Sequence, residues 1–275
     1  MHEFDALGTH WWCERLDGGV IGDDLRHSIE ATVARFVRDY SRFDEHSLLS
    51  RLNREGELAN PPAQMVTMMR YARDMFERTR GVFNISVGGA LNALGYSGAG
   101  SGARVRQSFW EGTIITEQVI VIPRNTSIDF GGFGKGWLID ELARVCEEGG
   151  VSAYCINGGG DLFVNNPTPV EFALEHPLDT RQKIGSTRID RGALAASSTI
   201  KRSWAKNSEK KHHIIDPATG DSAISSVVAS FVRAQSALVA DTLATVVIID
   251  PEQKALLEKA FEAQIIVITH EQLAG

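Results

Sequence analysis

Glycine crowds one stretch of this chain. From Asp129 to Asp140 the order is Asp-Phe-Gly-Gly-Phe-Gly-Lys-Gly-Trp-Leu-Ile-Asp, with four glycines in six positions (Gly131, Gly132, Gly134, Gly136). Backbone with so few Cβ atoms can turn sharply or approach another group closely. The run near 118–123 reads as a strand. After Lys135 comes an amphipathic helix that buries Leu138, Leu142, Val145 and Cys146 and ends at Gly149-Gly150. A glycine-rich turn opening a helix aims N–H groups and a positive dipole end at whatever docks there. With an acid (Asp129) and a base (Lys135) in the turn, the segment points to a phosphate-bearing ligand, with or without a metal. It is not a Walker A loop, because no Gly-Lys-Ser/Thr closes it, and the G-x-G-x-x-G spacing of dinucleotide sites is absent. A tight turn that needs small residues only for packing is the alternative.

At 275 residues the chain can bury a sizeable core as one large domain or two small ones. Its 28 basic and 35 acidic residues give a net charge of −7, which argues against nucleic acid as the main partner. Any phosphate must be held by local groups or a metal. The start, Met-His-Glu-Phe-Asp-Ala-Leu-Gly-Thr-His, reads as neither signal peptide nor lipid anchor. The longest apolar stretch, near Val246–Ile249, is too short to span a bilayer. Cys13, Cys146 and Cys155 have no metal or redox spacing, so free thiols in a reducing cytoplasm are expected.

Periodicity sets out the rest. Residues 4–15 read as a first strand and Asp23–Tyr40 as a helix with Leu25, Ile29, Val33, Phe36, Val37 and Tyr40 on one face. The next helix is expected to be capped by Asn60, with Pro61 and Pro62 in its first turn and Gly81 at its close; Met65, Met68 and Met69 read as core filler. Residues 97–112 hold Ser-Gly-Ala-Gly-Ser-Gly, a loop. Strands are expected at 151–156, 170–175, 192–197, 226–233 and 264–269, with helices from about Gln235 and over 252–262. Without regular βαβ alternation, the class is α+β rather than a doubly wound sheet.

Three further clusters carry chemistry-bearing residues. Asp241 lies in the apolar helix Ser236–Thr245, where an acid is costly unless paired or bound to a cation; Thr245 follows one turn later on the same face. The pair could give a hard cation two oxygens, or Asp241 could simply be satisfied by an amide or an arginine. His212-His-Ile-Ile-Asp-Pro-Ala-Thr-Gly220 joins two histidines to a turn signal, so one could act as a base, or both could be ordinary residues at a strand end. Asn157-Gly-Gly-Gly-Asp161 is either a loop where backbone approaches a ligand or a plain hairpin.

Their order along the chain is informative. Ala6-Leu-Gly-Thr9, Tyr40-Ser-Arg-Phe-Asp-Glu-His-Ser47, Ser50-Arg-Leu-Asn53, Gly81-Val-Phe-Asn84 and Gly88–Tyr96 precede the glycine-rich segment. Asn157–Asp161, His213-Ile-Ile-Asp-Pro-Ala-Thr-Gly220 and Ala240-Asp-Thr-Leu-Ala-Thr245 follow it. The series resembles the ApbE family of FAD:protein FMN transferases over nearly the whole chain. The resemblance implies one ApbE-like (T-fold-like) α+β domain over 1–275, compact or in two subdomains, with mixed sheets and packed helices. It implies Mg²⁺-dependent cleavage of FAD and transfer of FMN to a Ser or Thr hydroxyl of an acceptor flavoprotein bearing a short flavinylation motif, with release of AMP. Asp241 and Thr245 match the family's metal-binding Asp and Thr, and Gly132 the residue whose carbonyl completes the shell. Leu7, Phe43, Val82, Phe83, Asn84, Asp129, Lys135 and Ile215 match positions lining the FAD site, and His213 the histidine implicated in transfer. Catalysis is therefore expected from His213 and Asp241.

The chain departs from the family at Leu7, where Met is frequent, and at Asn84, where Asp is usual. It also departs at Leu94, where the family has Trp, and at Ala196-Ser-Ser-Thr-Ile200, where it has Thr-Ser-Gly-Asp-Tyr. Two rival readings accompany the transferase: an FAD diphosphatase giving FMN and AMP, and a carrier that binds FAD without chemistry. The expected setting is the cytoplasm, with neither membrane nor nucleic acid as partner.

Overall fold

The computed structural model describes residues 1–96 and 105–274. In chain order its elements are β1 (His2–Ala6), β2 (Thr9–Arg15), α1 (Asp23–Tyr40), α2 (Leu48–Glu55), β3 (Glu57–Ala59), α3 (Ala63–Arg78), α4 (Gly88–Ala93), β4 (Ile114–Ile115), β5 (Val119–Val121), α5 (Gly134–Glu148), β6 (Tyr154–Gly158), β7 (Asp161–Glu175), β8 (Lys183–Ser198), β9 (Ser203–Lys206), β10 (Glu209–His212), β11 (Ile215–Asp216), β12 (Asp221–Ser222), β13 (Val227–Ala234), α6 (Ala237–Ile249), α7 (Lys254–Phe261), β14 (Gln264–Thr269) and α8 (His270–Ala274). The chain divides into two units, one of residues 1–37, 131–201 and 226–275, the other of 38–130 and 202–225. The α+β class stands, in two packed units.

The first unit is built on a seven-stranded sheet in the order β1-β2-β6-β7-β8-β13-β14, antiparallel at every pairing. Helix α6 packs on β8 and β13, and α5 on β6 and β7. α6 buries residues on every side, including Leu243, Val246 and Val247, as expected for a helix that is hydrophobic all round. Two devices lock α5 to α6. Gly136 has room for no side chain, since a Cβ there would lie 2.3 Å from the Ala237 carbonyl oxygen. Asp140, on α5, caps the start of α6, its carboxylate accepting from Ala237 N (2.8 Å), Leu238 N (3.0 Å) and the Ser236 hydroxyl (2.7 Å). Burial lifts the Asp140 carboxyl above the usual range, while these donors and the helix dipole favour its charged form. Side chains alternate along a strand, so Leu162 and Val164 lie on the face of β7 opposite Asp161 and join Cys155, Leu174, Ile189, Leu194 and Phe231 in a core.

The second unit holds a three-stranded sheet in the order β3-β5-β4 and two small hairpins, β9–β10 and β11–β12. Leu49, Leu52, Leu58, Met65, Met68, Met69, Met75, Phe109 and Ile120 are buried in it, so the methionines are core filler, as expected. Ile215 of β11 packs on Ala90 and Leu91 of α4.

Several elements differ from expectation. The first strand is a hairpin, β1 and β2, turned at Leu7-Gly8 with φ of 51° and 71°. Helix α2 is short and its periodicity brief; Ser47 caps it, accepting from Ser50 N at 3.0 Å, and Gly56 ends it in the left-handed region. Helix α3 starts at Ala63 after Pro62, and Asn60 makes no cap; it adopts φ 49° and bonds back to Gln118 O instead. Irregular chain over 122–130 separates β5 from the glycine-rich turn. Of the loop expected over 97–112, residues 97–104 lie outside the described residues, and the rest ends in a 3₁₀ turn, Phe109–Gly112.

Candidate active site

In the first unit three charged side chains meet below the glycine-rich turn. Lys135 Nζ lies 2.5 Å from Asp161 Oδ2 and 3.0 Å from Asp241 Oδ1. The other carboxylate oxygens are held by backbone: Gly136 N donates to Asp241 Oδ2 at 2.9 Å and Ala196 N to Asp161 Oδ1 at 2.9 Å. Both acids are nearly sealed from solvent, with Asp161 at 1% exposure and Asp241 at 2%. Burial works against the Lys135 ammonium, but the charges of Asp161 and then Asp241 outweigh it and hold its pKa above the ordinary lysine range. Burial lifts the Asp241 carboxyl above the ordinary range, opposed by the Lys135 charge and helped by that of Asp161. One ammonium thus serves two buried carboxylates and leaves an excess negative charge.

That excess and the donor chemistry fit a hard divalent cation. Thr245 places its hydroxyl one turn beyond Asp241, 3.4 Å from the Asp241 carbonyl, and Gly132 lies in the turn just before α5. Among the described residues no group of three or more His, Cys, Asp or Glu side chains is arranged to hold a metal. One carboxylate with neutral oxygens suits Mg²⁺, which commonly takes one or two carboxylates and leaves the rest of its shell to water and substrate phosphate.

In the second unit a ring cluster surrounds Arg42. Its guanidinium lies 5.5 Å from the Phe43 ring centroid and 5.7 Å from that of Tyr96, and its Nε is 3.2 Å from Asp129 Oδ2. Tyr96 is stacked with His213 at 6.1 Å and lies 5.2 Å from Trp204. Phe43 is 69% exposed, so a large aromatic face is offered to solvent. Trp204 Nε1 donates to the Leu94 carbonyl at 2.8 Å. An indole therefore lies against the position where the resemblance expects one, supplied by β9 instead of residue 94.

The two histidines separate clearly. His212 is buried, and its Nε2 donates to the Ala223 carbonyl at 3.1 Å; burial lowers its pKa, so it is a neutral structural residue. His213 Nδ1 is 3.4 Å from the Arg202 carbonyl. A carbonyl only accepts, so Nδ1 is the donor in this contact.

Of the residues singled out in the sequence, the first unit brings together Lys135 and Asp241, with Thr245 one turn away. It sets Leu7 in the β1–β2 turn. The second unit ties Asp129 to Ile85 O through its backbone N–H (2.8 Å), close in sequence to Val82, Phe83 and Asn84. Phe83 N is held by the Thr79 hydroxyl at 2.9 Å, and Asn84 Oδ1 accepts from Ser86 N (2.9 Å) and Ser86 Oγ (2.8 Å). Phe43 and His213 share the ring cluster, and Ile215 lies beneath α4. Sequence reasoning missed Arg42, Tyr96 and Trp204 as a cluster. It also missed Asp161 as a charge partner and Asp140 as a cap. Asp161 stood in a loop already marked by its glycines; Trp204 carried no signal.

Comparison with known proteins gives a consistent result. The ApbE family model matches residues 7–267. The chain is 25% identical to an FAD:protein FMN transferase of Klebsiella pneumoniae (strain 342), across 95% of this chain and 82% of that protein. It is 24% identical to one from Vibrio cholerae, across 91% and 81%. Among solved structures, the ApbE protein of Thermotoga maritima superposes with a TM-score of 0.84 at 20% identity, covering 98% of this chain and 94% of that one, which shows a common fold.

Proposed function

This chain belongs to the ApbE family, and we propose that it transfers FMN from FAD to a Ser or Thr hydroxyl of an acceptor flavoprotein and releases AMP, with Mg²⁺ bound. The observation that carries this reading is the buried cluster in which Lys135 serves both Asp161 and Asp241. It supplies what an acidic protein needs to handle a diphosphate: a fixed cation and an uncompensated carboxylate to hold another.

In this reading Asp241 and Thr245 give side-chain oxygens to the metal, and Gly132 a backbone carbonyl. A hard divalent cation held there would supply Lewis-acid polarisation of a phosphoryl oxygen and offset charge on the departing phosphate. Lys135 offsets charge on the diphosphate. The faces of Phe43 and Tyr96 offer stacking to a planar ring, and Leu7, Val82, Phe83, Asn84 and Ile215 complete the FAD contacts. Asp129, held by Arg42, binds rather than reacts. The acceptor oxygen attacks the FMN-side phosphorus, a P–O bond forms, and the bridging P–O bond breaks so that AMP leaves with the bridging oxygen. His213 takes the hydroxyl proton. The reading takes 1–275 as one catalytic module and sets it in the cytoplasm, where the thiols of Cys13, Cys146 and Cys155, all buried and unpaired with one another, are stable.

The test is incubation with FAD and Mg²⁺, with and without a protein carrying a flavinylation motif. Acceptor-bound flavin fluorescence on a denaturing gel, lost with EDTA, is the expected result. Free FMN and AMP with no labelled protein would replace the transferase by the diphosphatase, and intact bound FAD would replace it by the carrier.

A further inference from the structure

The ammonium of Lys135 is shared unequally. It lies closer to Asp161 (2.5 Å) than to Asp241 (3.0 Å). Asp161 begins β7, a strand paired on both sides by β6 and β8, and its second oxygen is fixed by Ala196 N. It is therefore an immobile anchor, while the lysine has four rotatable carbons. A divalent cation arriving at Asp241 meets a positive charge already bound there. If Asp241 were the only acid near that ammonium, the cation could bind only by stripping a buried charge of its partner, which is strongly unfavourable.

We propose that Asp161 is a positioning residue that retains Lys135 while Asp241 is given over to the metal, so that the chain's own lysine does not compete for the metal's carboxylate. This inference rests on the reading of Asp241 as a metal ligand. Asp161 acts through Lys135 and contributes no oxygen to the metal. Held by Asp161, the ammonium remains beside the metal carboxylate, where it can meet phosphate charge once Asp241 is occupied.

The test is direct Mn²⁺ binding, followed by electron paramagnetic resonance without FAD, in the wild type, D161N, D161E, K135M and the double variant D161N/K135M. Asparagine keeps the oxygen that accepts from Ala196 N, and circular dichroism checks each fold. D161N is expected to weaken Mn²⁺ binding by about tenfold or more, the range for losing a residue that supports a metal ligand. K135M added to D161N is expected to restore the affinity to near that of the wild type, and D161E, which keeps the charge, to hold it there. A merely structural role for Asp161 predicts no rescue. Wild-type affinity in D161N overturns the inference, as does a double variant as weak as D161N, which would make Asp161 itself a ligand. A D161E variant as weak as D161N also overturns it, because charge would then not be the property that matters. If the wild type binds no Mn²⁺, the metal reading falls, and the inference falls with it.

Discussion

The two clusters are held in opposite ways. In the first unit Lys135, Asp161 and Asp241 are buried, and each carboxylate oxygen has a donor at 2.5–3.0 Å. In the second unit Arg42, Phe43, Tyr96, Trp204 and His213 meet mainly through ring faces 5–7 Å apart, with Phe43 mostly in solvent. Buried charges tolerate little displacement, because each lost partner leaves a desolvated ion. Ring contacts are individually weak and forgiving in geometry. The first cluster is thus rigid and the second adaptable, and the proposed division of chemistry from ring recognition follows that difference, with His213 as the exception.

The sharpest break in that contrast comes from D241A. Turnover is expected to fall on the order of 10³-fold, with the fold intact because Lys135 keeps Asp161, and FAD affinity should change little. Full activity in steady-state assays would remove Asp241 from the chemistry. Next is G136A, where the added methyl meets Ala237 backbone. A loss of about 3 kcal/mol in chemical denaturation is expected, against under about 1 kcal/mol for G185A, whose Cβ would meet only the Leu174 side chain at 3.8 Å. An equal loss in both would show that the α5–α6 contact is not tight.

His213 sharpens the comparison from the other side. H213A should slow transfer on the order of 10²-fold, the range of general-base loss, and leave the FAD dissociation constant within about threefold. Collapse of affinity instead would return His213 to the binding cluster. F43A should weaken FAD binding by about three- to tenfold, as for loss of one aromatic pair, without touching Mn²⁺ affinity. A change in metal binding would mean that the clusters are not separable.

The smallest expected effect concerns His212. Burial lowers its pKa below 6.5, so the native state binds fewer protons than the unfolded chain just below that pH. Its contribution to stability is present above 6.5 and is lost as pH falls from there through the lowered folded value. H212Q should flatten the wild type's loss of stability in acid, measured by urea denaturation at several pH values. An unchanged slope would show that His212 does not report this burial.

What could be read from the sequence depended on distance along the chain. Asp241 and Thr245 share one helix face, so their pairing was visible at i, i+4. The glycine-rich turn announced α5 correctly because capping and periodicity are local. Lys135 with Asp161 spans 26 residues and Asp140 with Leu238 spans 98, and only the packed sheet and helices create those contacts. The first hairpin escaped because its turn is Leu7-Gly8, a leucine at φ 51° where Asn-Gly or Asp-Gly would have been the recognisable signal. Helix α2 escaped because eight residues hold too little periodicity.

The strand order also leaves a hazard. β14 forms one end of the seven-stranded sheet, pairing among the described residues only with β13, and its sequence is Gln-Ile-Ile-Val-Ile-Thr, with Ile266 46% exposed. A six-residue run with five β-branched residues and neither charge nor proline is the composition of an amyloid-prone segment, and an unpaired edge is a template for adding strands from other molecules. While β14 stays seated, only its outer edge is offered. Conditions that loosen it, such as heating or overexpression, are those in which this protein should precipitate, and a lysine in place of Ile266 is the change most expected to keep it in solution.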